Sequence, residues 1–510
     1  MLVSQVVGDF ASNQDDGNLR SLGDHVGRRF ASAKNLPSSF LEGMCEEVYL
    51  LLARMCSPMM AAIQQAQGDS GRSENLASWI QRELGKCTAL DSALSVQVQQ
   101  VVDEFSLAWA RFRSDHEALQ ASGLIGAQAI IADVRIASPD KHHGQHVLKF
   151  SFLGTPALFY KPRPGSGAAL LQRLARTLSE WGFWVGAAPT VDFGSHHWMA
   201  EISYSPKLSG SEALQYAYNG GVLYGLATLL NASDLHFENI IASPSGPVVV
   251  DCETLCQPKF SRSAASHLLK RPYDELADGT SLFLNLDTYC GQPIDYGGLS
   301  CVEMWIRKDP YEGLQVLLDR DTRELTRHSS RSAVEVNGLR IAPAVAHFDR
   351  FVDGFAAFGR AALNHKKELL SVVDGSAQFR IPLRATRVYA AMVGERLSAI
   401  YFSSYANHAW SRHLELELET VEQSFLATAR AILEAERREV YALDIPVGYV
   451  RAGSRDLLLG GAVLEGVFEL SPAEMIQRRL DSLCSQFIDD RIALLRSRLL
   501  AHERAQLATM

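Results

Sequence analysis

Apolar positions recur at helical spacing through FLEGMCEEVYLLLARM (residues 40–55) and again through VQQVVDEFSLAWARF (98–112), which predicts a helical region over residues 1 to about 115. The polar piece at 64–75 reads as a loop between those helices. Near Leu124 the pattern changes. AQAIIADVRIAS has the texture of a strand. After the polar loop PDKHHGQH, the runs VLKFSF and TPALFYK predict two further strands joined at Leu153 and Gly154, the second ending on Lys161 in YKPRP. Ser209, Gly210, Ser211 and Glu212 make a capping-box start to a helix marked by Leu214, Tyr218, Gly221, Gly225 and Thr228, which delivers the chain into Asp234.

Residues 233–254, SDLHFENIIASPSGPVVVDCET, place two short apolar runs around a Pro/Gly turn. They predict a β-hairpin with polar groups at both ends on one side of a cleft. Residues 259–339 are rich in Gly, Asp, Ser and Tyr with weak periodicity, as expected of a substrate-facing segment. The last third reads as helical again, through FDRFVDGFAAFGRAALNHKKELL, then FRIPLRATRVYAAMV with Arg380, Arg384 and Arg387 close to Thr386 and Tyr389. A final helix opens at Ser471, Pro472 and Glu474 and is expected to run nearly to the end. The outcome is an α+β chain in three parts: a helical region at 1–115, a mixed core at 116–365 and a helical region at 366–510.

Composition narrows the function. A hydrophobic content of 47% with 21% charged residues is that of an ordinary globular protein. The net charge of −9 argues against a general nucleic-acid binder, which needs a clustered basic face. Residues 48–63, the greasiest early stretch, are interrupted by Arg54 and Pro58, so no membrane span is expected. The start lacks a secretory signal, and eight scattered cysteines suit a reducing cytoplasm. Cys252 and Cys256 lack a second pair at zinc spacing and read as core or near-site thiols.

The hairpin carries the candidate chemistry. Phosphoryl transfer needs a carboxylate to orient the attacking hydroxyl and oxygen ligands for magnesium. Asp234, Asn239 and Asp251 have the spacing that kinases use, while His236, in D-x-H-x-x-N, is similar to phosphoinositide lipid kinases. Lys161, at the end of an upstream strand, stands where a kinase pairs a lysine with nucleotide phosphates. No G-x-G-x-x-G precedes it. His142, His143 and His146 lack carboxylate or Cys partners at ligand spacing and read as a polar loop over phosphate rather than a metal site.

With those motifs placed, the sequence resembles the dehydratase portion of class II lanthipeptide synthetases, the LanM type, through SPDKHHGQHVLKF, YKPRP, SDLHFENIIA, VVVDCETL, FRIPLRATRVY and ALDIPV in the family's order. The resemblance implies a lipid-kinase-like bilobal core with helical additions. It also implies an ATP- and Mg²⁺-dependent enzyme that phosphorylates Ser and Thr of a leader-bearing precursor peptide and then eliminates phosphate to leave dehydroalanine or dehydrobutyrine. The phosphorylation set it implies is Lys161, Asp234, His236, Asn239, Asp251 and Glu253, with Asn239 and Asp251 on the metal. The elimination set is Arg380 and Thr386, with Asp140 and His142 contributing. The family's Cys-His-Gly cyclase signature is missing from these residues, so the expectation is that a separate cyclase acts afterwards, that the product keeps its dehydro residues, or that rings form without catalysis. Two other readings stay open: a kinase that stops at a phosphorylated peptide or small molecule, and a nucleotide-binding pseudokinase scaffold.

Overall fold

The computed structural model describes residues 36–48, 50–51, 55, 88–138, 141–269, 280–289, 292–307, 325–384, 386–402, 418–419 and 421–509. The loop expected at 64–75, Asp140 and the side chain of Arg387 lie outside the described residues.

Helix α1 (Thr88–Ala121) lays Val98, Val102, Phe105, Ala108 and Phe112 against an antiparallel sheet. That sheet contains β1 (Ile131–Ile136), β2 (Leu148–Phe152), β3 (Thr155–Lys161), β5 (Thr190–Asp192) and β6 (His197–Ala200), in the order β1-β2-β3-β6-β5. The short β4 (Gly186–Ala187) belongs elsewhere, as described below. Aromatic side chains fill the space between helix and sheet. Phe150 meets Trp198 edge-on at 4.9 Å, and Phe40 meets Phe150 at 5.2 Å. The polar tips of these rings are satisfied: Trp198 Nε1 donates to Asp115 at 2.8 Å and Arg111 donates to Tyr160 Oη at 2.6 Å. This core fixes β3, and with it the end of the strand where Lys161 emerges.

A second apolar cluster forms around helix α3 (Gly210–Leu230), which is buried on nearly all sides. Its predicted capping box is present, with Ser209 Oγ accepting from Glu212 N at 3.2 Å and Glu212 accepting from Ser209 N at 2.7 Å. Helix α2 (Ser166–Glu180) contributes Leu170, Leu171, Leu174 and Leu178 to the same cluster. Helix α4 (Phe348–Asn364) crosses α3 at close range. A Cβ on Gly221 would stand 1.9 Å from the Phe351 carbonyl oxygen, and one on Gly354 would stand 1.9 Å from that of Tyr218. Each helix therefore supplies a glycine where the other's backbone passes. Asn231 caps α3 in the left-handed region (φ 57°), turning the chain toward Asp234.

The predicted hairpin is present as β7 (Ile240–Ser243) and β8 (Gly246–Val249), antiparallel, with β4 alongside β8 in parallel. Within residues 259–339, where the sequence periodicity is weak, lie short antiparallel pairs: Leu286–Tyr289 with Gln292–Asp295, Glu303–Arg307 with Leu325–Ser329, and Val334–Val336 with Leu339–Ile341.

The expectation of a wholly helical last third is corrected. Between its helices lies a four-stranded antiparallel sheet of β9 (Gln378–Ile381), β10 (Gly448–Arg451), β11 (Leu457–Leu459) and β12 (Ala462–Leu464). These strands are three or four residues long, too short for their alternation to stand out among helical neighbours. Arg380 accordingly sits on a strand and not on a helix surface. The helices around the sheet are α5 (Thr386–Phe402), α6 (Leu426–Tyr441), α7 (Pro472–Ser482) and α8 (Ser485–Thr509). The capping box at Ser471 and Glu474 is as predicted, but the final helix is two, broken where Leu483 turns extended (ψ 120°). Among the described residues no helix is long and apolar enough to cross a membrane.

Candidate active site

Lys161 ends β3, and its Nζ reaches across to the end of β8, donating to the Val250 carbonyl at 3.2 Å and lying 3.7 Å from Asp251 Oδ2. Strand and hairpin therefore close on one another at their tips. Burial alone would raise the Asp251 carboxyl, but Lys161 and then Arg163 outweigh it and hold the group well below the usual carboxylate range. Asp251 also caps its own turn, accepting from Glu253 N at 3.2 Å.

Asp234 and Asn239 sit at the other end of the hairpin. Asn239 Nδ2 donates to the Asp234 carbonyl at 2.7 Å, and Asn239 O accepts from Val250 N at 3.0 Å. The first bond holds Asp234 in the left-handed region (φ 58°), a conformation that Asp tolerates better than most residues. It also leaves the Asn239 amide oxygen uncommitted among these bonds. The Asp234 side chain is 49% exposed. Its pKa is raised by burial first; His236 and Arg380 oppose the shift, while Asp251 and Glu253 add to it. His236 Nε2 lies 3.6 Å from Asp234 Oδ1, and its backbone bridges to Gly297, so the Asp234–Asn239 loop leans on the segment that follows it.

Glu253 links this set to the last third of the chain. The Arg380 backbone N donates to the Glu253 carbonyl at 2.8 Å, Arg380 Nη1 lies 3.5 Å from Glu253 Oε2, and Arg163 Nε contacts Glu253 Oε1. Gln257 completes the join by donating to the Arg380 carbonyl at 2.9 Å. Burial alone would lower the Arg380 pKa; the carboxylates of Glu253, Asp234 and Asp251 more than compensate. His142 packs against the same cluster with Nδ1 at 3.0 Å from the Ile445 carbonyl. Burial, then the charges of Arg380 and Arg163, push its pKa well below the ordinary value, so it is neutral.

Lys161, Asp234, Asn239, Asp251, Glu253, Arg380 and His142 thus come together, with His236 beside them. Thr386 opens α5, half-buried, and among the described residues no hydrogen bond joins it to Arg380. Among the described residues no group of three or more His, Cys, Asp or Glu side chains could hold a metal ion. Cys252 and Cys256 are buried, and burial pushes the Cys252 thiol up to about 12, which leaves it unreactive.

Sequence reasoning missed three members. Arg163 lies two positions beyond Lys161 in YKPRP and was visible only as a motif residue. His197 pairs with Lys161 across β3 and β6, its Nδ1 2.8 Å from the Arg163 carbonyl; burial, then Lys161, lowers its pKa to about 3. Tyr449 pairs with Arg380 across β9 and β10 and is pushed up to about 12 by burial and Glu253. Neither pairing has a sequence signal, because both depend on strand register.

Over 416 residues the chain is 21% identical to the "Lacticin 481/lactococcin biosynthesis protein LcnDR2" of Lactococcus lactis subsp. lactis. The match covers 77% of this chain and 44% of that relative, so the chain spans less than half of the relative's length. Residues 88–451, which run from α1 through β10 and include every site residue named above, match the domain of unknown function DUF4135, and the chain belongs to that family.

Proposed function

We propose that this protein is an ATP-dependent peptide dehydratase of lanthipeptide-type biosynthesis, which phosphorylates Ser and Thr of a ribosomal precursor peptide and then eliminates the phosphate. The observation that carries the reading is the double tie of Arg380 to Glu253, which brings a phosphate-binding guanidinium into the cleft that holds Lys161, Asp234 and Asp251. On the reading of a kinase that stops at the phosphoester, Arg380 would have no step of its own after phosphoryl transfer. The similarity to a lacticin 481 biosynthesis protein supports the same reading.

In the first half-reaction Asp234, open to the cleft, orients the substrate hydroxyl and accepts its proton. Its raised pKa brings it toward the operating range of a base. Lys161 pairs with the nucleotide phosphates, exchanging its contact with Asp251 for theirs. The Asn239 amide oxygen and the Asp251 carboxylate are the hard oxygen ligands that would hold Mg²⁺. When bound, the ion supplies charge neutralisation on the transferring phosphates. In the second half-reaction Arg380 binds the phosphoester, and His142, held neutral by burial and the charges of Arg380 and Arg163, is the candidate acceptor of the α-proton. The test is co-expression with a candidate precursor peptide, followed by mass spectrometry. Loss of water at Ser or Thr is expected; gain of phosphate without loss of water would replace this reading with a kinase, and ATP binding without any turnover would replace it with a scaffold.

A further inference from the structure

We propose that Arg163 is a second phosphate-binding guanidinium of this cleft, which joins Arg380 in gripping the phosphate monoester formed on the peptide. This assignment rests on the dehydratase reading. Arg163 leaves β3 on a turn pinned from both sides: its N donates to the Lys161 carbonyl at 2.8 Å, and its own carbonyl accepts from His197. Its guanidinium meets one oxygen of the buried Glu253 carboxylate, while Arg380 faces the other at 3.5 Å. Two guanidiniums therefore straddle the one Glu253 carboxylate, and the three side chains are at most 16% exposed.

The contacts are ionic but poorly directed. Arg163 Nε and both Glu253 oxygens are buried without a geometrically sound hydrogen bond. Among the described residues neither guanidinium donates a directed side-chain bond, although each carries five N–H groups. Buried donors left in that condition favour an acceptor with more oxygens than a carboxylate, and a phosphate monoester brings three in tetrahedral array.

The chemistry calls for two cations. In the elimination a base takes the Cα proton, the C–H electron pair becomes the Cα–Cβ π bond, and the Cβ–O bond breaks with its pair going to the phosphate oxygen. The ester dianion thereby departs with one more negative charge than it held, until the proton passes to it and leaves hydrogen phosphate. Arg380 alone meets one unit of that charge. Arg163 meets a second from the opposite side of Glu253, and Glu253 neutralises one of the pair when no phosphate is present.

Titration calorimetry of the full chain with inorganic phosphate tests the assignment without requiring turnover. Arg163→Lys keeps the charge beside Glu253 but loses the fork, and it is expected to weaken phosphate binding about tenfold or more, as is Arg380→Lys. Thermal unfolding of both variants reports whether the fold is intact, and Arg163→Gln serves if the lysine variant is unstable. Unchanged affinity in the folded Arg163 variants beside a loss in Arg380→Lys would overturn the role of Arg163 and leave the dehydratase reading standing. Unchanged affinity in all the variants would overturn it too, by placing the phosphate site elsewhere. Failure of the dehydratase reading shows separately, as wild-type protein that removes no water from the precursor.

Discussion

Arg380 and Glu253 are joined through both backbone and side chain, with Arg380 N donating to the Glu253 carbonyl at 2.8 Å and Nη1 lying 3.5 Å from Oε2. The residues stand far apart in the chain, one just past the β7–β8 hairpin and the other on the edge strand of a sheet in the last third. Their contact joins the end of the hairpin to the sheet of the last third.

Arg380→Ala should separate the two half-reactions. Removing a pre-placed cation from the leaving group costs about 3 kcal/mol of transition-state stabilisation, or on the order of a hundredfold in rate. Phosphorylated peptide should therefore accumulate with this variant, whereas Lys161→Ala and Asp234→Ala should leave the peptide unmodified. Mass spectrometry of the peptide after co-expression decides it; intact dehydration with Arg380→Ala would remove that residue from the elimination.

Gly167→Ala should damage the site from behind. A Cβ there would stand 1.8 Å from the Cys252 carbonyl oxygen, a rigid backbone atom between Asp251 and Glu253. Either α2 or the loop has to move, which costs about 2–3 kcal/mol by the usual penalty for overpacking. Thermal unfolding should show the loss, and ATP turnover should fall with it even though Gly167 touches no substrate.

Much of this was legible in the sequence. The strand ending at Lys161, the capping box at Ser209 and the hairpin between Asn239 and Asp251 follow from local patterning, and all three are present. The cluster around Glu253 was not legible as geometry. Arg163, Tyr449 and His197 reach it through strand register and tertiary packing, which leave no periodic trace. The Arg380 strand was hidden for the same reason, since four residues of alternation between two helices carry little signal.

The buried histidines predict acid sensitivity. His197 has a folded pKa of about 3, below its unfolded value of about 6.5, because it is buried beside Lys161. Its contribution to stability is fully present above about pH 6.5 and is lost as the pH falls toward the folded value, since the unfolded chain binds the proton first. From pH 7 to pH 5 the loss through His197 is about 2 kcal/mol, and His142, also depressed, adds to it. Urea unfolding at the two pH values measures the fall. In His197→Asn the fall should be shallower by about 2 kcal/mol, and an equal fall in both proteins would show that His197 does not titrate as the structure requires.

A buried carboxylate network flanks Thr386. Glu436 on α6 is fully buried and accepts from Arg384 Nε at 2.7 Å, from Arg384 Nη2 at 3.1 Å and from Tyr389 Oη at 2.6 Å. Arg384 and Tyr389 flank Thr386 at the start of α5, so one carboxylate fixes the approach from the Arg380 strand into that helix. Breaking a buried pair by neutralising one member costs about 3–5 kcal/mol, whereas replacing both members with apolar groups restores much of it. Glu436→Gln should therefore lower the melting temperature sharply, and Arg384→Met with Glu436→Leu should recover most of the loss. The peptide assay then separates structure from function. If the double variant is stable and phosphorylates but removes water slowly, the network serves to position Thr386 for the elimination. Recovery of both half-reactions with stability would reduce Glu436 to a support of the fold.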